Sequence, residues 1–333
     1  MANISEDLAD LTISRQLVLQ RLANGLSKQV ADHYEAMIDD IRTTILKSGN
    51  ISNRLRQTIK DIKEQLSVPN FDKEFKDLAK QEVNYTQKAY NNVIGVDVFK
   101  NIPPESAMNA ILNTSLIEGA TIGAWLKDLE ASQAFDVERA IRLMTLGETN
   151  AQLAQRVVNT LGVSMRNAQS IVITGTSAVT NQARMEFYSA NDDVIAGYQS
   201  IAVLDGKTSD VCIAYSNAKY TKDFKPIGNS PRYFPTPRHF RCRSTHIPIL
   251  KTWRELGIDE DELPIGTQSS DMGYLPQDYS FIDFLKLKTQ AQQNEILGNG
   301  KAQLWRDGKI TLSDLVNQQG RTLTLRELLE KYS

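Results

Sequence analysis

Both cysteines of this chain and two of its three histidines lie close together in the sequence. The stretch PTPRHFRCRSTHIPI, residues 235–249, contains His239, Cys242 and His246, and Cys212 precedes it by one loop. Zinc takes about four nitrogen, sulfur or oxygen ligands in tetrahedral reach, commonly with two of them close in sequence. His239 and Cys242 form such a close pair, so the spacing is compatible with a structural zinc site.

The ligands of this hypothetical site are Cys212, His239 and Cys242, and the fourth is water or one of the side chains of His246, Asp205 and Asp210. A metal here would close the loop from 212 to 239, which gives the site a structural purpose. Two other states stay open for the cysteines. They are buried free thiols beside a hydrogen-bonded histidine, and a Cys212–Cys242 disulfide, which a reducing compartment disfavours.

Catalysis by a cysteine and histidine pair requires only that the two side chains meet in space. The sequence indicates no third residue to orient such a pair. It also contains none of the patterns GxxxxGK[ST], HExxH, GxSxG or HxE…PCxxC. We therefore expect a protein that is not an enzyme.

A cluster of basic residues surrounds the same segment. Between residues 219 and 243 Asp223 is the single acid, and the cations are Lys219, Lys222, Lys225, Arg232, Arg238, Arg241 and Arg243. Two interpretations stay open: a solvated face whose arginines bind loop carbonyls, and a surface that contacts DNA phosphates or an acidic protein. The second interpretation makes Lys219, Lys222, Lys225, Arg232, Arg238 and Arg241 the candidate contacts.

The composition of the whole chain narrows the class of protein. Its 333 residues allow two or three units, and 41% hydrophobic with 23% charged residues is ordinary for a soluble globular protein. The net charge of −2 gives no general attraction to nucleic acid. Two cysteines and an acidic start, MANISEDLADL, predict synthesis in a reducing cytoplasm, and no apolar run approaches the roughly 18 residues of a membrane span.

Apolar spacing of three and four residues predicts long helices in the first hundred residues. The first runs from Leu8 to Lys47, a second continues to Pro69, and a third follows through Phe71, Phe75 and Val83. Each carries one apolar stripe, which either the other helices or a partner protein must cover. Both an intramolecular bundle and a partner-binding arm are therefore open.

The middle of the chain also has helical spacing. We predict a helix that begins near Ser106 and runs through Leu116 to Leu129, then two short helices separated at Gly147 and Gly162, and a helix that ends near Asn191. Strand-like alternation follows only in three short stretches, which are residues 197–206, 218–221 and 244–249. An acidic linker and a helical tail close the chain.

The sequence thus predicts a mostly α protein with a small β-rich unit, an α+β fold with four segments. Residues 1–100 form the long helices, which are either an assembly arm or a bundle. Residues 101–196 are helical, 197–250 form the β-rich unit pinned by cysteine and histidine, and 251–333 are the linker and helical tail. The loop between Pro226 and Pro237 has few large apolar residues, so the side chains of Cys212, His239 and Cys242 are needed to hold it.

The second half of the chain resembles a known family. The runs IAVLDGKTSDVCIAYSNAKYT and PRHFRCRSTHIPI resemble the Mu F-like minor head proteins of tailed bacteriophages, also called head-morphogenesis proteins. The matching positions are Leu204, Asp205, Thr208, Cys212, Pro237, His239, Cys242, Arg243, Ser244 and Pro248. The preceding helix is similar at Asn181, Ala183 and Arg184. The resemblance covers roughly residues 135–333, and His246 stands where the family usually has an aliphatic residue.

The resemblance implies an assembly role rather than a reaction. Such proteins are low-copy components of the virion that associate with the portal or the inner capsid during head morphogenesis, and some enter with the DNA at ejection. It therefore implies the portal or major capsid protein as partner, with packaged viral DNA as a further one, several copies per virion and assembly in the host cytoplasm without a membrane. A metal-dependent enzyme or transferase built on the Cys/His unit, and a DNA-binding module, are the alternatives.

Overall fold

The fold is mostly helical with a small four-stranded antiparallel sheet, as the sequence predicts, and the described residues also contain two short hairpins. The structure is a computed structural model that describes residues 4–143, 148–203, 205–252, 254–255, 267–270, 273–276, 281–317 and 321–332. Three features discussed above lie outside the described residues: Gly147, Leu204 and residues 259–262 of the predicted acidic linker.

The elements follow one another in a helical half, a sheet unit and a second helical group. The helices are Ile4–Lys47 (α1), Ile51–Lys63 (α2), Asp72–Ile94 (α3), Glu105–Thr114 (α4), Ile122–Arg142 (α5), Asn150–Ala190 (α6), Asp210–Ala214 (α7), Phe281–Lys286 (α8), Gln290–Leu297 (α9), Asn299–Arg306 (α10) and Leu325–Tyr332 (α11), with a 3-10 turn at Leu312–Leu315. The strands are Leu116–Ile117 (β1), Ala120–Thr121 (β2), Ile195–Ile201 (β3), Lys219–Thr221 (β4), Pro226–Ile227 (β5), Thr245–Leu250 (β6), Thr267–Ser270 (β7) and Gly273–Pro276 (β8).

Helix α6 lies at the centre of the helical half, and α1, α3 and α5 pack along it. The apolar stripe of α1 is covered from within, because Val30, Tyr34, Ile41 and Ile45 are all buried in the shared core. An intramolecular bundle therefore accounts for this stripe. No helix within the described ranges combines the length and apolar character that crossing a membrane requires.

Two of the predicted helix boundaries are wrong. The helix expected from Ser106 through Leu116 is interrupted by the β1–β2 hairpin, whose turn at Glu118 and Gly119 has φ values of 49° and 85°. The expected break at Gly162 does not occur, since α6 continues from Asn150 to Ala190. Burial of α6 against three other helices outweighs the low helix propensity of its glycines. The predicted end near Asn191 is confirmed.

The sheet has the strand order β5-β4-β3-β6 and is antiparallel throughout. Its three longer strands confirm the three predicted stretches. Glycine is required at Gly197, because a Cβ there would lie 2.3 Å from the backbone oxygen of Tyr220 on the neighbouring strand. Ile201 and Ile247 pack against Ala9 and Ile13 of α1, so this helix also covers part of the sheet.

A second core joins the Cys/His segment to the end of the chain. Cys212 and Cys242 are buried in it together with Phe284, Leu315 and Leu328. The helical tail therefore packs directly on the segment that contains the candidate site. The β7–β8 hairpin falls in the region for which only a linker and helices were predicted.

Candidate functional site

Helix α7 and the turn before β6 bring the cysteines and His239 together. Ser209 caps α7 by accepting a hydrogen bond from the backbone N–H of Cys212, which lies on the first turn of this helix. On the other side, the backbone N–H of Cys242 donates to the carbonyl of His239 at 3.1 Å. That turn directs both side chains of the His-x-x-Cys pair toward Cys212.

The three side chains form a compact group. The Sγ of Cys212 lies 3.2 Å from Nε2 of His239 and 3.6 Å from Sγ of Cys242, and all three ligand atoms are within 4.8 Å of one another. Two thiolates on one tetrahedral zinc at about 2.3 Å lie about 3.8 Å apart. The group therefore fits three corners of such a tetrahedron. Both cysteines are free and buried.

The histidine presents a defined nitrogen to the sulfurs. Its Nδ1–H donates to the carbonyl of Phe240 at 2.7 Å, so Nε2 is the nitrogen that faces Cys212. Metal-bound histidines are commonly held in this way, with the second ring nitrogen donating to a backbone carbonyl. The Oγ of Ser209 lies 2.7 Å from the same Nε2. Sequence reasoning missed Ser209, although a serine directly before Asp210 is a common helix cap.

Electrostatics favour one thiolate in the group. Hydrogen bonds from Cys242 and His239 and the nearby charge of Arg238 hold the pKa of Cys212 well below its usual value despite burial. The pKa of Cys242 is raised, because of its hydrogen bond to Cys212 and its burial. Burial lowers the pKa of His239, but its contact with Cys212 outweighs this and raises it. A thiolate beside a histidine is both a good metal ligand and a nucleophile.

Asp205, Thr208 and Arg243 form a clasp beside this group. Arg243 donates from Nη1 to Oδ2 of Asp205 at 2.6 Å and from Nη2 to Oδ1 at 2.5 Å. Thr208 donates to the carbonyl of Val203, and the backbone N–H of Lys207 donates to Asp205 at 2.9 Å. The clasp fixes the turn before α7 to the residue directly after Cys242.

His246 does not join the group, which corrects its place among the candidate ligands. The described ligand atoms that gather at the site are those of Cys212, His239 and Cys242. His246 is buried on β6, where its ring lies 5.3 Å from that of Tyr233. Burial, followed by the charges of Arg238 and Arg184, holds the pKa of His246 well below its usual value, so this side chain is neutral.

The basic residues divide into two classes. Lys219, Lys225, Arg232 and Arg241 are exposed, and Lys222 is partly exposed but pairs with Asp192 at 2.7 Å. Arg238 is 4% exposed, so it is unavailable to an external partner, which corrects its place among the candidate contacts. The burial of Arg238 could not be read from the sequence, because all seven cations lie in the same irregular stretch between residues 219 and 243.

Two residues of α6 attach the sheet to the helical half. Asn181 donates to the carbonyl of Ser244 at 3.3 Å, and Arg184 donates to Oγ1 of Thr245. A cavity of about 150 Å³ lies between α1 and α6, and Cys242, Arg243 and Arg241 form part of its wall. Cys242 is thus adjacent to a small opening in the helical half.

Comparison with known proteins adds no family assignment. No family model, no curated protein and no solved structure matches the chain. The resemblance to the minor head proteins rests on the motif residues alone. The distances and contacts among those motif residues are therefore the basis for inferring the function.

Proposed function

We propose that this chain is a minor head protein of a tailed bacteriophage, a low-copy assembly protein that associates with the portal or the inner capsid. It acts in head morphogenesis in the host cytoplasm and stays in the virion, from which some copies leave with the DNA. The motif resemblance supports this role, and so does the way in which the motif residues are used.

One observation carries the proposal: the side chains of the motif bind one another. Asp205 pairs with Arg243, and Cys212, His239 and Cys242 converge within 4.8 Å. These contacts close a loop of about 30 residues between Cys212 and Cys242. Their common effect is to join the segment before α7 to the turn before β6, while Asn181 and Arg184 attach the same part of the chain to α6. Such cross-connections suit a protein whose task is to present surfaces.

Two exposed surfaces are available for partners under this proposal. Val18 and Leu22 lie one turn apart on α1 and are 47% and 43% exposed. They suit an apolar contact with the portal or major capsid protein. Lys219, Lys225 and Arg232 form the exposed basic surface, which suits packaged DNA or an acidic ring of the portal.

We also propose that Cys212, His239 and Cys242 bind a structural zinc ion, with a water or Ser209 completing the set. The 3.6 Å separation of the sulfurs and the carbonyl bond on Nδ1 of His239 support this assignment. A bound zinc would add stability by closing the loop between Cys212 and Cys242.

A metal-dependent enzyme or transferase is the second candidate. The observations in its favour are the thiolate-favouring environment of Cys212 and the cavity that its neighbour Cys242 lines. A zinc site with three protein ligands and an exchangeable water is the arrangement of catalytic zinc. Retention of assembly in a Cys242→Ser variant that still folds, together with loss of a measured activity, would favour the enzyme.

Quantitative mass spectrometry of purified particles tests the proposal. We expect the chain at a small fraction of the copy number of the major capsid protein, and no particles of normal composition when its gene is deleted. Complementation with Val18→Asp/Leu22→Asp should yield a folded protein that particles incorporate poorly. Val30→Asp is the matched control for misfolding, because Val30 is fully buried. Absence of the native chain from particles would refute the assembly role.

A further inference from the structure

One face of the sheet carries polar side chains that are closed off from solvent. Tyr220 lies opposite Tyr198, and His246 lies opposite Ser200, in the registers of β3 with β4 and β6. Directly opposed residues of antiparallel strands share a face, and so do residues two apart on one strand. Tyr220, Ser200 and His246 therefore all project from the same face.

The loop before β6 covers this face. The ring of Tyr233 lies 5.1 Å from that of Tyr220 and 5.3 Å from that of His246. Arg238 from the same loop donates from Nη2 to Oγ of Ser200 at 2.9 Å, and its guanidinium carbon lies 4.4 Å from the ring centre of Tyr215. Arg238 therefore sits among the side chains of this face.

Arg238 is a buried cation without a carboxylate partner in the described part of the chain. A guanidinium stays protonated in proteins. Its five N–H donors need acceptors, and a charge removed from water without compensation destabilises a fold by several kcal/mol in general. A hydrogen bond to Ser200 and a tyrosine ring satisfy only part of this requirement.

The atoms left without a hydrogen-bond partner on this face are donors. They are Nε and Nη1 of Arg238, Oη of Tyr220 and Nε2 of His246, and each is buried. Nδ1 of His246 lies 3.5 Å from Oγ1 of Thr236. When the threonine hydroxyl donates to Nδ1, the ring proton resides on Nε2 and this atom is also a donor. Unpaired donors on the face that also holds a buried guanidinium call for an acceptor with negative charge.

We propose that Arg238, Tyr220 and His246 bind a buried monatomic anion of the size of chloride. The anion accepts from the guanidinium and the tyrosine hydroxyl and neutralises the charge of Arg238. Tyr220, Arg238 and His246 are 0%, 4% and 2% exposed, so an ion held by them is shielded from solvent, and a single atom suits such a buried position better than a phosphate or an organic acid. The site does not depend on the assembly role, and it adjoins the proposed zinc site, because Arg238 directly precedes His239.

Crystals grown in sodium bromide test the site directly by anomalous scattering at the bromine edge. We expect a peak in contact with Nε or Nη1 of Arg238 and within reach of Oη of Tyr220. Density for a water at this position without an anomalous signal would overturn the proposal.

Thermal unfolding provides the solution test. Chloride or bromide in place of gluconate at equal ionic strength should raise Tm of the native protein by roughly 2–4 °C. Tyr220→Phe keeps the ring, removes one donor and should reduce that increase. Lys225→Met, a change to an exposed cation of the same unit, should leave it intact. An equal halide effect in the native protein and in Tyr220→Phe would contradict the site. If Arg238→Met does not fold, Tyr220→Phe and the bromide crystals still decide the question.

Discussion

Arg184 of α6 donates from Nε to Oε1 of Glu82 of α3 at 2.8 Å, although 102 residues separate them in the sequence. Both side chains are almost completely buried. The second oxygen of Glu82 accepts from Nε of Arg15 on α1 at 2.9 Å, and Arg184 also donates to Thr245 of β6. The carboxylate of Glu82 thus links α3 and α1 to α6, the helix to which the sheet is attached.

Glu82→Ala should therefore destabilise the whole fold. Removing the carboxylate leaves the guanidinium of Arg184 buried without its partner, and loss of one member of a buried pair costs about 3–5 kcal/mol. We expect this decrease in the free energy of unfolding, measured by urea denaturation. Asp77→Ala, which breaks the exposed pair of Lys73 and Asp77 on the same helix, is the matched control and should have little effect. If the two changes decrease the free energy of unfolding equally, the buried pair contributes no more to stability than the exposed pair.

The sequence predicts the helical fold class because apolar stripes and strand alternation are local signals. It fails at Gly162, where a break was expected but α6 continues. A glycine in a helical pattern does not by itself show whether the helix ends, because burial against helices from other parts of the chain can outweigh its low helix propensity. The packing role of Gly175, where a Cβ would lie 3.1 Å from Ile122 and from Phe75, is likewise not readable from the sequence.

In the candidate site, too, one part could be predicted from the sequence and another could not. The spacing of His239 and Cys242 predicts a close pair, and Cys212 does join it. The exclusion of His246 and the burial of Arg238 depend on which face of β6 and which side of the loop each residue occupies. Those are consequences of strand register and of the covering loop, and they are not encoded in local spacing.

Purified protein should contain about one zinc per chain by elemental analysis, because three ligand atoms converge within 4.8 Å. Cys212→Ser should reduce the zinc content severalfold and lower Tm, and a chelator should lower Tm of the native protein. His33→Gln is the matched control, since His33 lies on α1 and bonds Ser67 outside the group. The free-thiol state would be favoured if the native protein contains no metal, both of its thiols react with a thiol reagent, and a chelator leaves its Tm unchanged.

The clasp of Asp205, Thr208 and Arg243 should make the free energy of unfolding decrease at acid pH. Asp205 is partly buried, which raises its pKa, but its bonds to the Arg243 guanidinium outweigh burial and hold the pKa below its usual value. The stabilisation is therefore complete above the unfolded-state pKa of about 3.9 and is lost as pH falls through the lower folded-state pKa. Urea midpoints of the native protein should decrease between about pH 4 and pH 2 more steeply than those of Asp205→Asn. The exposed Asp223→Asn control should follow the native protein, and identical slopes for Asp205→Asn would exclude the clasp as the cause.

Charge reversal on the exposed basic surface should separate a partner contact from a solvated face. Lys219→Glu/Lys225→Glu/Arg232→Glu changes three exposed cations and leaves Arg238 in place. Contacts to phosphate or to an acidic portal surface release counterions, so the variant should lose binding to DNA or portal, and low salt should restore part of it. The matched control reverses Lys73, Lys76 and Lys80 on α3, which makes the same change in net charge on another exposed surface. Two results would show that the loop is only a solvated face: binding that the loop variant leaves unchanged at every salt concentration, or binding that both triple variants reduce equally. The second result counts because only a specific contact distinguishes two surfaces of equal charge.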